Sequence, residues 1–249
     1  MGILRANKLS GLETPVSVGG AVYFDGTNSY LSLPDSEDLD FGSGNFTVEG
    51  WVNMISLPSS GNRYSLASKW TSTGNNYSWI CNIYNNSGVM QLNFGYTTNG
   101  STATDLYSNG GPAEAGKWFH IAYVRDGNIL RQFVNGVQLT ENSISGTIYN
   151  GTQNVNIGRH GENTNYMNGY ISNLRIQKGT AGYTTSFTPP VNELQPIQDT
   201  VLLCCNNPDS AGAVSLAGIG TSKTITVNGN AVAVGLGTSS PGLTRDITF

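Results

Sequence analysis

Short runs of alternating apolar and polar residues, separated by tight-turn signals, constrain the fold of this chain more than any other feature. The clearest example is GKWFHIAYVRDGNILRQFVNGVQL, from Gly116 to Leu139. Its Asp-Gly and Asn-Gly pairs supply the positive φ angles that two-residue hairpin turns require. The spacing therefore predicts an antiparallel meander of three strands, over residues 117–125, 130–134 and 137–140.

The same pattern recurs along the chain at intervals of roughly ten residues. The segment AVYFDGTNSYLSL predicts two strands joined by a turn at Asp25 and Gly26. In NFTVEGWVNMI, alternation puts Phe46 and Val48 on one strand face and Glu49 on the other. Because no stretch shows sustained helical periodicity, the chain is predicted to be an all-β sandwich or barrel.

Composition supports this prediction and narrows the possible partners. Of 249 residues, 32 are Gly and only 11% are charged, whereas helices would need more Ala, Leu, Glu and Lys. A net charge of −4 argues against a nucleic-acid partner. No apolar run is long enough to predict a membrane span, and the N-terminus lacks the apolar core of a signal peptide. We therefore expect synthesis in the cytoplasm without a signal peptide.

The cysteines and one histidine are predicted to be structural. Cys81, Cys204 and Cys205 lie in apolar runs and are expected to be buried thiols, since adjacent cysteines rarely bridge. Alternation places His120 on a strand face with Trp118. A catalytic histidine would need a nucleophile or a carboxylate partner, and local spacing suggests none, although a distant residue could supply one. We predict that His120 packs inside the sandwich.

Four blocks of sequence, in order, carry a family resemblance. They are FDGTNSYLSLPDSEDLDFGSGNFTVEGWV, the meander stretch quoted above, VNIGR and NGYISNLRIQKGTAGYTTSFTPP. Together they resemble the concanavalin A-like lectin/glucanase superfamily in its laminin-G-like branch. The resemblance covers residues 20–206 and implies a jelly roll of two antiparallel sheets, one of them curved. It leaves residues 1–19 as an N-terminal docking arm and 207–249 as a β-prone extension.

The resemblance also implies which catalytic residues to look for. Glucanases of this fold carry E-x-D-x-x-E on one strand, which places a nucleophile and an acid on the same face. No glutamate of this chain begins that pattern, so we expect no enzymatic activity. The carboxylates of DSEDLDFG are expected to form a single helical turn capped by Ser36 or Asp35. A weak Ca²⁺ site in this turn is the alternative.

Aromatic and amide side chains in two stretches are the candidates for ligand binding. SKWTSTGNNYSWICNIYNNSG and GRHGENTNYMNGY contribute Trp70, Tyr77, Trp79, Tyr84, Arg159, His160, Asn163, Asn165 and Tyr166. Laminin-G-like domains often hold ligands and Ca²⁺ at loop rims, so the resemblance implies that the second stretch is such a rim. It leaves Asp25 as a weak metal candidate, with no other cofactor expected. The alternative is that these aromatic and amide residues only build the core and the turns.

The C-terminal sequence adds a second resemblance. PDSAGAVSLAGIGTSKTITVNGNAVAVGLGTSSPGLTRDITF, following a laminin-G-like domain, is similar to virion proteins of tailed phages such as head decorations, fibres and tail components. We therefore predict a virion structural protein that is homo-oligomeric and docks onto capsid or tail neighbours through its arms. Its displayed domain would adhere weakly to cell-surface glycans. A free glycan-binding lectin domain is the alternative, and a glycoside hydrolase is the third possibility.

Overall fold

A computed structural model describes residues 19–161, 165–215 and 221–236, and within them the chain forms fifteen β-strands and one 3₁₀ turn. The strands are β1 (Gly20–Asp25), β2 (Tyr30–Leu33), β3 (Phe46–Met54), β4 (Arg63–Thr71), β5 (Asn76–Asn86), β6 (Val89–Tyr96), β7 (Thr104–Tyr107), β8 (Trp118–Asp126), β9 (Ile129–Val134), β10 (Val137–Ser143), β11 (Val155–Ile157), β12 (Asn168–Lys178), β13 (Thr200–Cys204), β14 (Thr226–Asn228) and β15 (Val232–Gly235).

The strands form two antiparallel sheets that pack face to face. Sheet A has the order β10-β9-β8-β3-β12-β1-β15, with β13 also paired to β12. Sheet B has the order β14-β2-β11-β4-β5-β6-β7. Neighbours in the sheets are often distant in sequence, as expected for a jelly roll rather than a simple meander. The predicted all-β, two-sheet jelly-roll sandwich is confirmed.

The predicted meander is present as β8, β9 and β10. Val134 pairs with Val137 across a two-residue turn in which Asn135 and Gly136 have φ angles of 50° and 73°. Both angles are positive, as the tightest hairpin turn requires. The turn sets the first pairs of β9 and β10, and a bulge after Gln138 then shifts the register.

The two strands and the turn predicted around Asp25 and Gly26 are present, but the strands do not pair with each other as a hairpin. The turn forms, because Asp25 Oδ1 accepts hydrogen bonds from the backbone N–H groups of Thr27, Asn28 and Ser29 at 2.9, 3.0 and 3.1 Å. However, β1 pairs with β12 and β15 in sheet A, whereas β2 pairs with β11 and β14 in sheet B. Local turn chemistry bends the chain here, but it does not determine which sheet receives the next strand.

The main core lies between the sheets and is built from alternate residues of their strands. In β3 the inward residues are Phe46, Val48, Val52 and Met54, as the alternation predicted. The three cysteines are buried free thiols, as predicted. Burial raises the pKa of the Cys81 thiol well above its ordinary value, so this thiol is held in its neutral form.

The outer face of sheet A holds His120 in a buried polar cluster. His120 Nε2 lies 3.1 Å from Glu49 Oε2, and both side chains are fully buried. Arg175 donates two hydrogen bonds to Glu49 Oε1, at 2.9 and 2.6 Å, and the Tyr183 hydroxyl donates one to Oε2 at 2.8 Å. His120 is buried as predicted, but its predicted place inside the sandwich is wrong: it lies on the face opposite the main core, and its carboxylate partner comes from β3.

A loop covers this polar cluster and fills that part of sheet A. Tyr183 and Phe187 stack with ring centroids 3.5 Å apart and pack on Phe133 and Ala122. Burial alone would raise the pKa of Glu49, but the contacts with His120 and Arg175 lower it overall. The cluster therefore holds the covering loop against sheet A.

The acidic turn before β3 is held by lysines. The 3₁₀ turn spans Glu37–Leu39, and Ser36 caps it by accepting a hydrogen bond from the Asp38 backbone N–H at 3.4 Å. Buried Lys69 forms ion pairs with Asp40 and, at 2.6 Å, with Asp35. The predicted capped turn is confirmed, and these two carboxylates have a structural role.

Part of the C-terminal extension belongs to the sandwich. Among the residues that the structure describes, β14 and β15 are the outermost strands of sheets B and A, respectively, and each has one unpaired edge there. Lys223, just before β14, pairs with Asp38 at 2.6 Å. Docking of the extension onto neighbouring subunits stays a prediction, and within the described residues it would use these free edges.

Candidate functional site

The outer face of sheet B carries a ladder of polar side chains across three strands. Ser65 donates to Asn82 Oδ1 at 2.6 Å, Asn82 donates to Asn93 Oδ1 at 2.9 Å, and Asn93 donates to Asp105 Oδ1 at 3.0 Å. The first three residues are fully buried, whereas Asp105 on β7 is exposed. The ladder fixes the orientation of Asp105 and leaves its other oxygen directed away from Asn93.

At one end of this face, two aromatic rings are stacked. The rings of Trp70 on β4 and Tyr77 on β5 lie 4.4 Å apart at an interplanar angle of 11°. Both side chains are half-buried. A Cβ atom at Gly95 would lie 2.9 Å from Ile80 Cγ2 and 3.9 Å from Trp70 Cη2. The indole therefore extends across the strands to β6, where glycine leaves room for it.

The opposite end of the face holds a second group of aromatic rings and one cation. The guanidinium of Arg63 lies 4.7 Å from the centroid of the Tyr84 ring, and the Tyr84 and Tyr107 rings are 5.7 Å apart. The side chain of Tyr107 is 37% exposed. Arg63 forms no ion pair with the residues that the structure describes. Its N–H groups can therefore serve a ligand.

His160 lies between the two ends. Burial, together with the nearby charge of Arg63, lowers the pKa of His160 to about 4, and Asp105 acts in the opposite direction. The imidazole is therefore neutral at neutral pH. His160 therefore adds no charge to this part of the face at neutral pH.

These side chains form one continuous surface, which we call the aromatic strip. Its members are Tyr77, Trp70, Asp105, Tyr107, Tyr84 and Arg63. Trp70 pairs with Tyr77 and Arg63 pairs with Tyr84 in the register of β4 and β5, seven residues apart on each strand. At the usual rise per strand residue this makes the strip about 20 Å long.

Comparison with known families identifies the fold. A laminin G family model described as the concanavalin A-like lectin/glucanases superfamily matches residues 25–181, more than half of the chain. The chain belongs to this superfamily. No curated protein sequence matches the chain significantly.

Solved structures are similar to this chain in fold. A protein from Bacteroides ovatus, provisionally assigned to carbohydrate binding, has a TM-score of 0.65 and 15% identity, over 88% of this chain and 60% of that protein. Domain 4 of the GH43 arabinanase AbnA from Geobacillus stearothermophilus, in complex with arabinotriose, has a TM-score of 0.49 and 17% identity, over 65% and 71% of the two chains. A SAP-like pentraxin from Limulus polyphemus has a TM-score of 0.47 and 19% identity, over 66% of this chain and 78% of the pentraxin. The likeness in fold rests on the Bacteroides ovatus protein, since the other two TM-scores are below 0.5.

The superfamily fold brings some of the predicted site residues together and separates others. Trp70 and Tyr77 meet on the aromatic strip. Trp79 points the other way: it is fully buried in the core, and its indole N–H donates to the Leu39 carbonyl at 2.9 Å. It is therefore inaccessible to a ligand. The reason is a bulge in β5, where Trp70 pairs with Tyr77 but the preceding Lys69 pairs with Trp79.

The second predicted stretch forms a separate cluster near β2. Arg159 lies 4.7 Å from the Tyr30 ring centroid and 5.4 Å from that of Tyr166, so its cation is held between two rings. The Asn165 carbonyl accepts a hydrogen bond from the His160 N–H at 3.1 Å. This contact sets the position of His160 beside the strip. Asn163 lies outside the described residues.

Three members of the strip, Arg63, Asp105 and Tyr107, were missed by the sequence reasoning, whereas Tyr84 belongs to the first predicted stretch. Arg63, Tyr84 and Tyr107 come from three different strands, and Asp105 lies in a short strand that the alternation pattern did not reveal. The signal for Tyr84 is its alternation with the inward Cys81 and Ile83 in a clear strand. No sequence signal indicates that β4, β5, β6 and β7 are consecutive neighbours.

The carboxylate of Asp25 accepts hydrogen bonds that hold the turn after β1. Burial alone would raise the pKa of Asp25, but hydrogen bonds from the N–H groups of Thr27 and Asn28 and from the Asn230 amide lower it. Among the described residues, no group of three or more His, Cys, Asp and Glu side chains could hold a metal ion. In the same ranges, no helix is long and apolar enough to cross a membrane.

The neutral state of His160 predicts acid sensitivity. Its folded-state pKa of about 4 lies below the ordinary value of 6.5, so the unfolded chain takes up the proton first as the pH falls. The stabilisation is therefore full above about pH 6.5 and lost as the pH falls to about 4, in total about 3 kcal/mol. Urea denaturation over this range checks this, with His160→Gln expected to show a flatter pH profile. An identical profile would contradict the assignment.

Proposed function

We propose that this protein is a non-enzymatic, lectin-like domain that binds carbohydrate on the aromatic strip. The observation that carries the proposal is the interleaving of accessible rings with a cation and a carboxylate on the outer face of sheet B. Sugar rings present apolar C–H faces that pack on aromatic rings, and hydroxyl groups that both donate and accept hydrogen bonds. The strip offers both kinds of contact along its length.

The chemistry of the strip favours binding over hydrolysis. Glycoside hydrolysis needs two carboxyl groups on either side of the scissile bond. Among the members of the strip, only Asp105 carries a carboxylate. The carbohydrate-binding assignment of the Bacteroides ovatus protein, which shares the fold, also supports a binding role.

Removing the Trp70 ring should weaken carbohydrate binding without unfolding the domain. An aromatic contact contributes about 0.5–1.5 kcal/mol, so Trp70→Ala is expected to raise Kd up to about tenfold. The measurement is isothermal titration against whichever soluble polysaccharide binds the wild type in a panel of glucans, xylans, arabinans, galactans and mannans. Each variant's thermal midpoint is recorded alongside.

Tyr107 offers a matched comparison. The Tyr84–Tyr107 pair has ring centroids 5.7 Å apart, tilted by 45°, and the Tyr23–Tyr170 pair on sheet A has centroids 5.3 Å apart with the same tilt. Tyr107→Ala should weaken binding, whereas Tyr23→Ala should leave Kd unchanged in the folded protein. Equal losses from both variants would place the binding surface elsewhere.

We also propose that the domain is displayed on a tailed-phage virion, where it would adhere to cell-surface glycans as a homo-oligomer. The resemblance of the C-terminal sequence to such virion proteins supports this, as do the edges of β14 and β15 that are unpaired among the described residues. A strand from a capsid or tail neighbour can pair with such an edge.

Mass spectrometry of purified particles tests the virion proposal. The chain should be found in stoichiometric amounts in washed particles and released only under conditions that dissociate them. A chain found free in the lysate and missing from particles would favour the alternative, an independent lectin domain.

A further inference from the structure

The length and charge of the aromatic strip indicate a specific class of ligand. We propose that the strip binds an extended, uncharged polysaccharide segment that runs from the Trp70 end past β7 to the Arg63 end, rather than a single terminal sugar. This inference rests on the proposed carbohydrate-binding function and deepens it.

The spacing of the two ends supports an extended ligand. The Trp70–Tyr77 pair and the Arg63–Tyr84 pair are separated by seven residues on each strand, which corresponds to about 20 Å. One or two sugar rings cannot reach both ends. A ligand that contacts both ends must be a chain of several linked sugars.

The middle of the strip supports a ligand that continues from one end to the other. Asp105 lies beside Gly95, over which the Trp70 indole extends, and Tyr107 follows two residues later on the same face of β7. Tyr107 in turn contacts Tyr84. Polar and aromatic groups therefore continue without interruption between the ends, as a linear chain requires.

The charge of the strip favours a neutral chain. Arg63 contributes one positive charge and Asp105 one negative charge, and the adjacent His160 is neutral at neutral pH because burial and Arg63 lower its pKa to about 4. Opposite charges that cancel can hydrogen-bond sugar hydroxyls. A polymer with a carboxylate on each repeating unit would be attracted by Arg63 but repelled by Asp105, so the strip as a whole gives it no electrostatic advantage over a neutral chain.

The test uses oligosaccharides of increasing length. Di- to hexasaccharides of the neutral polysaccharide that binds best are titrated into the full chain by calorimetry, with an oligouronate series of the same lengths in parallel. The hexasaccharide should bind at least about tenfold more tightly than the disaccharide. Trp70→Ala and Tyr84→Ala should each weaken hexasaccharide binding and remove most of the gain with length, whereas Tyr23→Ala should not.

The outcomes separate this inference from the function on which it rests. Disaccharide binding as tight as hexasaccharide binding, or a loss confined to one end's variant, would overturn the extended mode and leave carbohydrate binding standing. Stronger binding of the oligouronates would overturn the neutral class alone. No binding by any neutral or acidic glycan would overturn the proposed function and this inference together.

Discussion

Replacing Glu49 by alanine is expected to lower the free energy of unfolding by about 3–5 kcal/mol. The carboxylate is fully buried and accepts hydrogen bonds from Arg175 and Tyr183, with His120 Nε2 3.1 Å away. Without it, the Arg175 cation and the Tyr183 hydroxyl lose their acceptor while still enclosed. A charge or donor left unpaired in the interior costs far more than a lost surface contact.

A surface ion pair on the same sheet provides the control. Arg131 pairs with Glu141 at 2.9 Å, but the Glu141 side chain is 48% exposed. Glu141→Ala should therefore cost less than about 1 kcal/mol. Chemical denaturation measures both variants, and Glu49→Gln should fall between them because the amide keeps an acceptor oxygen. Similar small losses for Glu49→Ala and Glu141→Ala would show that the buried cluster does not hold the loop in place.

The loop contacts predict a second consequence of the Glu49 change. Tyr183 and Phe187 pack on sheet A beside this carboxylate, so local opening should expose them before the core unfolds. Amide hydrogen exchange in Glu49→Gln should therefore increase in residues 180–187. Exchange in β5 and β6, which lie in the other sheet, should change little.

Sequence alone predicted the sheet class, the two faces of β3 and the turns of the meander, because these depend on period-two alternation and on turn residues that act locally. It placed the wrong face of β8 inward, since the core holds Phe119 and Ile121 rather than His120. It did not predict the strand pairing at Asp25, where a tight turn connects strands of different sheets. It also could not find the partner of His120, since Glu49 is 71 residues away in the chain. Contacts of this kind depend on strand order, which no local pattern encodes.

The candidate site was predicted in part for the same reason. Trp70 and Tyr77 were named from composition, and the structure stacks them on one face. Trp79 was named with them, but the extra residue in β5 at Ser78 places its side chain in the core, where alternation from Tyr77 would have kept both on one face. A single bulge therefore separates a ligand-accessible ring from a core ring two positions later.

Replacing Lys69 by methionine is expected to destabilise the domain by about 3 kcal/mol. The ammonium group is fully buried and pairs with Asp40 and Asp35, whose side chains are 13% and 35% exposed. Methionine keeps the packing of the side-chain stem but leaves Asp40 enclosed without its cation. Asp35 contributes less because water reaches it.

Two further variants separate the ion pair from simple packing. Lys69→Met combined with Asp40→Asn should recover much of the loss, since removing both charges eliminates the unpaired one. Lys117→Ala, at an exposed lysine, should change the free energy of unfolding by less than about 0.5 kcal/mol. A double variant no more stable than Lys69→Met would indicate that the loss comes from packing.

The pH dependence of the Lys69→Met loss gives an independent check. Burial raises the pKa of Asp40 even with Lys69 beside it, and without the cation that pKa should rise further. A carboxyl group whose folded-state pKa is raised stabilises the fold below its unfolded-state pKa, and that stabilisation is lost as the pH rises through the folded-state value. The deficit of Lys69→Met relative to wild type should therefore be smaller at about pH 4 than at about pH 7. A deficit that is constant with pH would show that Asp40 is not the group left unpaired.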